Sequence, residues 1–230
     1  MDFHEEFPAE RAFPDVERTL KVCQSANAGN RDEMDHMPVK LNIAVPKTMD
    51  LLLSRRSGSA KAMTGPGPDA DQLRAILTAA TRVPDHGKMV PWRFIVFEGE
   101  SRNRMGEHLA ECVAKDRNST PSQIKLEMER FLRAPVVIAV ISRLQERVPI
   151  PIWEQQLSAG AVCQTALIAA HAMGFVAQWV TEWCAYDHAV LDRLGLKAGE
   201  RVAGYIYIGH PAEPLEDRPR PDIDALVTRF

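Results

Sequence analysis

The 230-residue chain lacks most of the short signatures that announce a chemistry. It has four cysteines, Cys23, Cys112, Cys163 and Cys184, and no two of them share a C-x-x-C spacing. That argues against a structural zinc site and against a thioredoxin-like redox pair, and leaves reduced thiols as the expected state. No metal ligand set is expected. There is no G-x-G-x-x-G and no G-x-x-x-x-G-K-[ST], so neither a Rossmann dinucleotide site nor a P-loop has support. G-x-S-x-G and H-E-x-x-H are missing as well, and the seven histidines are scattered. A formal charge of -3 carries no basic excess of the kind a nucleic-acid binder shows. No apolar run approaches the roughly 20 residues of a membrane span. The opening residues "MDFHEEFPAERAF" have neither a basic start nor an apolar core, so no secretory signal is expected and a cytoplasmic location is. A chain with so little intrinsic side-chain chemistry points to a bound organic cofactor as the reactive group.

Residues 1–46 show no sustained period of 2 or 3.6, and "SANAGNRDEMDH" is polar and small. They are expected to form a flexible N-terminal extension before one domain at 47–230. From there the pattern is regular. Asp69 follows Pro68 as a cap for a helix over 69–82, with Leu73, Ile76, Leu77 and Ala80 on one face. "RFIVFE" (93–98), "APVVIAVIS" (134–142), "FVAQWV" (175–180) and "RVAGYIYIG" (201–209) read as strands. Amphipathic helices are expected over 100–118, 121–132 and 187–195. The longest helix, 152–174, closes at Gly174. Between Leu157 and Ala172 that helix is apolar or small on nearly every face, so it must be buried all round. The centre of the domain and the centre of a dimer both satisfy that requirement. His171, inside it, reads as a satisfied core histidine, and Cys163 as a small core residue. The remainder, 210–230, is Pro-rich and extended.

Three separated stretches carry groups suited to anions: "SRRSGS" with Arg55, Arg56, Ser57 and Ser59; Arg82 to Lys88 with His86 between; and "DRPRP" with Arg218 and Arg220. Arginine offers a planar fork that matches phosphate oxygens. Taken singly, each also reads as a solvated charge cluster.

In this order the stretches resemble the FMN-dependent nitroreductase family, and within it a compact subgroup. The likeness runs through "RRS", "RVPDHGKMVPWRF", "WEQQLSAG", "GFVAQW" and "RPRP", and covers residues 49–230. It implies an α+β fold, a mixed, mainly antiparallel sheet surrounded by helices, built as an intertwined homodimer with shared FMN sites. It implies an oxidoreductase that takes hydride from NADH or NADPH and reduces nitro, quinone or related small-molecule acceptors by a ping-pong mechanism. Other implied possibilities are a different flavin enzyme on the same fold, a dehalogenase or flavin-fragmenting oxygenase, and a non-catalytic FMN-binding protein. Carried over by motif, Arg55, Arg56 and Ser57 resemble the residues that grip the ribityl and phosphate end of FMN. Arg82 and His86 match positions that reach the flavin held mainly by the other subunit. Trp179, Val180 and Thr181 match the loop whose main chain runs along the isoalloxazine ring. Arg220, with Arg218, matches the basic C-terminal group at the phosphate. Val180 stands where the subgroup often has Arg, so its contact is expected from the backbone. No general acid is implied, and no nucleic-acid or membrane partner.

Overall fold

The computed structural model describes residues 46–146 and 148–230. Apart from Pro46, the extension expected over 1–46 lies outside the described residues.

The fold is organised by the strand β3 (Val136–Arg143), whose residues are buried from Val136 through Ser142. An unbroken β-branched run has no solvent face to offer, so it must be covered on both sides and both edges. On one edge it pairs with β2 (Trp92–Glu98), and on the other with β5 (Glu200–Pro211). The far side of β5 carries β4 (Val176–Val180) over residues 205–209, and β1 (Met63–Thr64) meets its last two residues. Every pairing among the described residues is antiparallel.

Side-chain alternation divides the core into two layers. Ile138 and Val140, with Ile206 and Ile208, pack against Leu73, Ile76 and Ala80 of α2 (Ala70–Ala80) and against α5 (Ile152–Ala172). Val137, Ala139 and Ile141 point the other way, toward Met105 and Leu109 of α3 (Glu100–Ala114), Phe131, Tyr205 and Tyr207. Trp92 is core, at 5% exposure. The helices α1 (Pro46–Ser54), α4 (Pro121–Met128) and α6 (His188–Arg193) complete the element order. Helices thus lie on both faces of an antiparallel sheet, the α+β arrangement expected.

Helix ends follow their sequence signals. Asp69 accepts from the Gln72 N–H at 2.8 Å while Gln72 Oε1 accepts from the Asp69 N–H at 3.0 Å, a complete capping box. At the other end of the sheet layer, α5 stops where Gly174 takes φ +84° and its N–H turns back to the His171 carbonyl. The ladder between β3 and β5 slips by one residue: Val140 faces Gly204 and Ile141 faces Val202, which leaves Ala203 extra. This bulge shapes the surface on which the candidate site is built.

Candidate functional site

The helix α1 ends at Ser54, and the chain leaves it as an irregular segment, Arg55–Ser59, laid along β4. Two contacts press it there. The Ala60 N–H donates to Gln178 Oε1 at 2.6 Å, and Gly58 lies so close to Val176 that an added Cβ would sit 3.0 Å from it. Arg55 and Arg56 are both half-buried. Arg55 donates to Ser57 Oγ at 2.9 Å. Arg56 donates to the Ser57 carbonyl at 3.3 Å and to the Glu216 carbonyl at 2.9 Å. The second of these bonds holds the C-terminal stretch against the first arginine cluster, and a cleft opens between them, lined by Arg56, Ser57, Gly58, Ser59, Pro211 and Glu216. Arg220 pairs with Asp217 at 2.6 Å and reaches toward the Arg55 carbonyl at 3.5 Å.

The sequence-expected clusters at 55–57 and 218–220 therefore meet in space. The Arg55 guanidinium is held below its ordinary pKa, first by burial and then by the charges of Arg220, Arg56 and Arg218. Its Nε is closed off from solvent and has no partner among the described residues. Of these four arginines only Arg220 has a carboxylate partner among the described residues. Like charges converging around an unsatisfied buried N–H are costly alone and favourable once an anion arrives. His171 sits close enough to feel the Arg55 charge. It accepts from the Ala177 N–H through Nε2 at 3.2 Å, and burial first, then Arg55, keeps the ring below its ordinary pKa. Its Nδ1 has no partner, so it is less fully satisfied than a plain core histidine.

The second cluster lies elsewhere. Residues 84–91 form a tight turn in which Gly87, Lys88 and Val90 all have positive φ, +47° at Val90. A left-handed β-branched residue is strained and must be held in place. The Asp85 carboxylate accepts from the N–H groups of Met89 and Val90 at 3.0 and 2.8 Å. Arg143 donates to the Val90 carbonyl at 3.0 Å and Ser158 to the Pro84 carbonyl at 2.8 Å. His86 Nδ1 lies 2.7 Å from Glu154 Oε2, in the first turn of α5. Arg82 and His86 remain exposed.

The third element is the end of β4. The Trp179 indole donates to the carbonyl of the bulge residue Ala203 at 3.0 Å, and its ring lies so close to Gly204 that no Cβ would fit there. Val180 is half-buried and Thr181 exposed. Immediately after them a buried charge network takes hold, which the sequence reading missed. Glu182 accepts from Arg130 and, at 3.3 Å, from Arg133; Arg130 also donates to Glu127; and the Trp183 indole donates to Glu127 at 3.0 Å. Burial pushes the Glu182 carboxyl up, but the two arginines outweigh it and hold it below the usual carboxylate range. In sequence, Arg130 looked like one more charge on an amphipathic helix. Only its place beside the apolar Phe131 hinted at burial.

One relation matters for the whole site. Arg55 acts on His171 in the last turn of α5, whereas His86 binds Glu154 in the first. Seventeen residues at 1.5 Å each place these ends about 25 Å apart. A single chain therefore keeps the first and second clusters at opposite ends of one helix.

A model of the Nitroreductase family matches residues 52–210. The chain belongs to the nitroreductase family. Two curated relatives carry the name NAD(P)H nitroreductase provisionally. YdjA of Escherichia coli is 36% identical over 163 residues, 71% of this chain and 87% of that protein. A Haemophilus influenzae protein is 36% identical over 169 residues, 73% and 90% of the two. Among solved structures, a nitroreductase-like family protein from Bacillus cereus superposes with a TM-score of 0.70 at 22% identity, covering 82% of this chain and 98% of that one. A nitroreductase with bound FMN from Bacteroides fragilis gives a TM-score of 0.59 at 19% identity, covering 81% and 100%. This nitroreductase thus shares the fold of both. No helix among its described residues is long and apolar enough to cross a membrane, and no group of three metal-ligating side chains occurs among them.

Proposed function

We propose that this nitroreductase is an FMN-dependent NAD(P)H oxidoreductase that works as a homodimer on small-molecule oxidants. The observation that carries the reading is the buried, unpartnered Nε of Arg55 amid Arg56, Arg218 and Arg220. That donor set fits a phosphate monoester, and a cleft opens beside it, lined by Arg56, Ser57 and Ser59. Arg55, Arg56, Ser57 and Arg220 would hold the phosphate and ribityl end, with Arg218 adding charge. The main chain of Trp179, Val180 and Thr181 would run along the ring. When bound, FMN supplies the ring that accepts hydride from NADH or NADPH and passes reducing equivalents to a nitro, quinone or related acceptor in a ping-pong cycle. The residues themselves would bind and orient, and the reading assigns none of them the role of general acid.

Two features support a site shared between two chains. The first is the placing of the Arg55 and His86 clusters at opposite ends of α5, which a second copy could reconcile. The second is α5 itself. Its buried residues, Gln155, Ala159, Val162, Cys163, Ala166, Leu167 and Ala170, form one face. The opposite face carries Leu157, exposed, and Ala161 and Ile168, half-buried, beside Gln164 and Thr165. Met49, Leu52 and Leu53 of α1 add further exposed apolar surface. A helix apolar on nearly every face, with a leucine left exposed on the outer one, calls for a partner.

Purified protein tests the reading. It should carry flavin absorbance, and NADH or NADPH added anaerobically should bleach it. Bound flavin that neither nicotinamide reduces would indicate an FMN-binding protein without this activity.

A further inference from the structure

Val180 is the last residue of β4, paired with Tyr205, and Thr181 after it is suspended between two anchors. On one side Trp179 is fixed by its indole bond to Ala203 and by its seat on Gly204. On the other, Glu182 is locked between Arg130 and Arg133. The chain beyond Glu182 is tied just as firmly: Trp183 donates to Glu127, and the Tyr205 hydroxyl donates to the Cys184 carbonyl at 3.1 Å. The Thr181 main-chain N–H and carbonyl, by contrast, make no hydrogen bond to any described residue. The fold thus fixes one neighbour by an indole hydrogen bond and the other by a buried ion pair, and leaves the Thr181 main chain free to bond something else.

The investment is large for a loop. Arg130 is 5% exposed and Glu127 6%. Two arginines and two glutamates make the group formally neutral. Glu127 alone supplies Arg130 with a bidentate partner on its own helical turn. Glu182 is therefore not needed to neutralise Arg130. What its carboxylate adds is a link of 52 residues, from the α4 region to the end of β4.

We infer that Glu182 is a positioning residue, whose clamp by Arg130 and Arg133 sets the Val180–Thr181 main chain at a fixed distance and angle from the flavin ring. This rests on the FMN reading above. Glu182 does not touch the cofactor. It acts by denying the adjoining peptide the freedom to swing away, so that its free N–H meets the ring edge already oriented.

The test uses the full-length protein and three variants: Glu182→Ala, Glu182→Gln and Arg133→Met. Glu182→Gln keeps the length and one acceptor. Arg133→Met removes a partner whose only ion pair among the described residues is Glu182. For each, FMN affinity, the visible spectrum of bound flavin, the flavin midpoint potential and the melting temperature are measured. Glu182→Ala should weaken FMN binding about tenfold, shift the bound-flavin spectrum and potential, and lower kcat for NAD(P)H oxidation with KM little changed. Glu182→Gln should recover part of each effect, and Arg133→Met should show a smaller effect in the same direction. If Glu182→Ala fails to fold, the other two variants decide. Variants that melt lower but bind FMN with wild-type affinity, spectrum and potential would overturn the inference and leave the network purely structural. Wild-type protein that binds no FMN would overturn the flavin reading and this inference with it.

Discussion

Arg56 donates through Nε to the main-chain carbonyl of Glu216 at 2.9 Å, across 160 residues of sequence. This one bond brings the C-terminal arginines to the segment that follows α1. It makes the anion site a joint product of the two ends of the domain.

Replacing Arg55 or Arg220 with Ala should weaken FMN binding by about ten- to a hundredfold, because charge-assisted bonds to phosphate are worth roughly 1.5–3 kcal/mol each. Fluorescence titration of the apoprotein measures this. Inorganic phosphate alone should also raise the melting temperature of the wild-type apoprotein, and less so that of Arg55→Ala. Equal flavin affinity in both variants and wild type would remove these residues from the site.

Leu157→Arg places a charge on the outer face of α5, at its exposed leucine. The expected outcome is a folded monomer in sedimentation experiments, with flavin lost. A variant that stays dimeric would move the interface elsewhere.

Two inactive doubles, Arg55→Ala with Ser57→Ala and Arg82→Ala with His86→Ala, should complement each other. In a mixed dimer one site is intact on both sides and the other doubly damaged. Isolated heterodimers should regain FMN binding and NAD(P)H oxidation. With both doubles shown to be folded dimers, an absence of rescue would place both clusters on one chain's site or take one of them off the flavin.

Glu200 makes a two-pronged pair with Arg93, at 2.8 and 2.7 Å. The Arg93 guanidinium, against some opposing burial, holds the Glu200 carboxyl below its ordinary pKa. A carboxyl with a depressed folded-state pKa stabilises fully above its unfolded value of about 4.3, and that contribution fades as pH falls through the folded value. Glu200→Gln should therefore lose about 1–3 kcal/mol at neutral pH and show a flatter decline in melting temperature below about pH 4. An acid limb as steep as wild type would assign acid sensitivity to other carboxylates.

A chain starting at Pro38 should fold, dimerise and bind FMN as the full chain does, because the family match begins only at residue 52. Aggregation or loss of flavin would make the preceding residues part of the working domain.

What the sequence disclosed was mostly local. Asp69 and Gln72 form their cap within four residues, and Gly174 ends a helix through its own φ, so both are legible from spacing. The run Val136–Ser142 announced a strand buried on both faces because nothing in it could tolerate water. The boundary of β5 was less plain: His210 and Pro211 belong to the strand because β1, only two residues long, pairs with them. No periodicity can show in two residues. The meeting of Arg55 with Arg218 and Arg220 was suggested only by resemblance, since it depends on the path of the whole domain. Arg130 and Glu182 escaped notice altogether. Buried ion pairs look like surface charges until the partner, here 52 residues away, is in place.

The extra residue at Ala203 has a consequence for what length changes this nitroreductase can tolerate. Deleting Ala203 would leave Val202 facing Ile141 and Gly204 facing Val140, now as neighbours in a plain ladder between β3 and β5, which by itself costs the sheet nothing. Glu200 would keep its face and its pair with Arg93, but the carbonyl that receives the Trp179 indole would be gone. A deletion that looks harmless to the sheet would thus undo an anchor of β4, and a single extra residue is what keeps the end of that strand where it is.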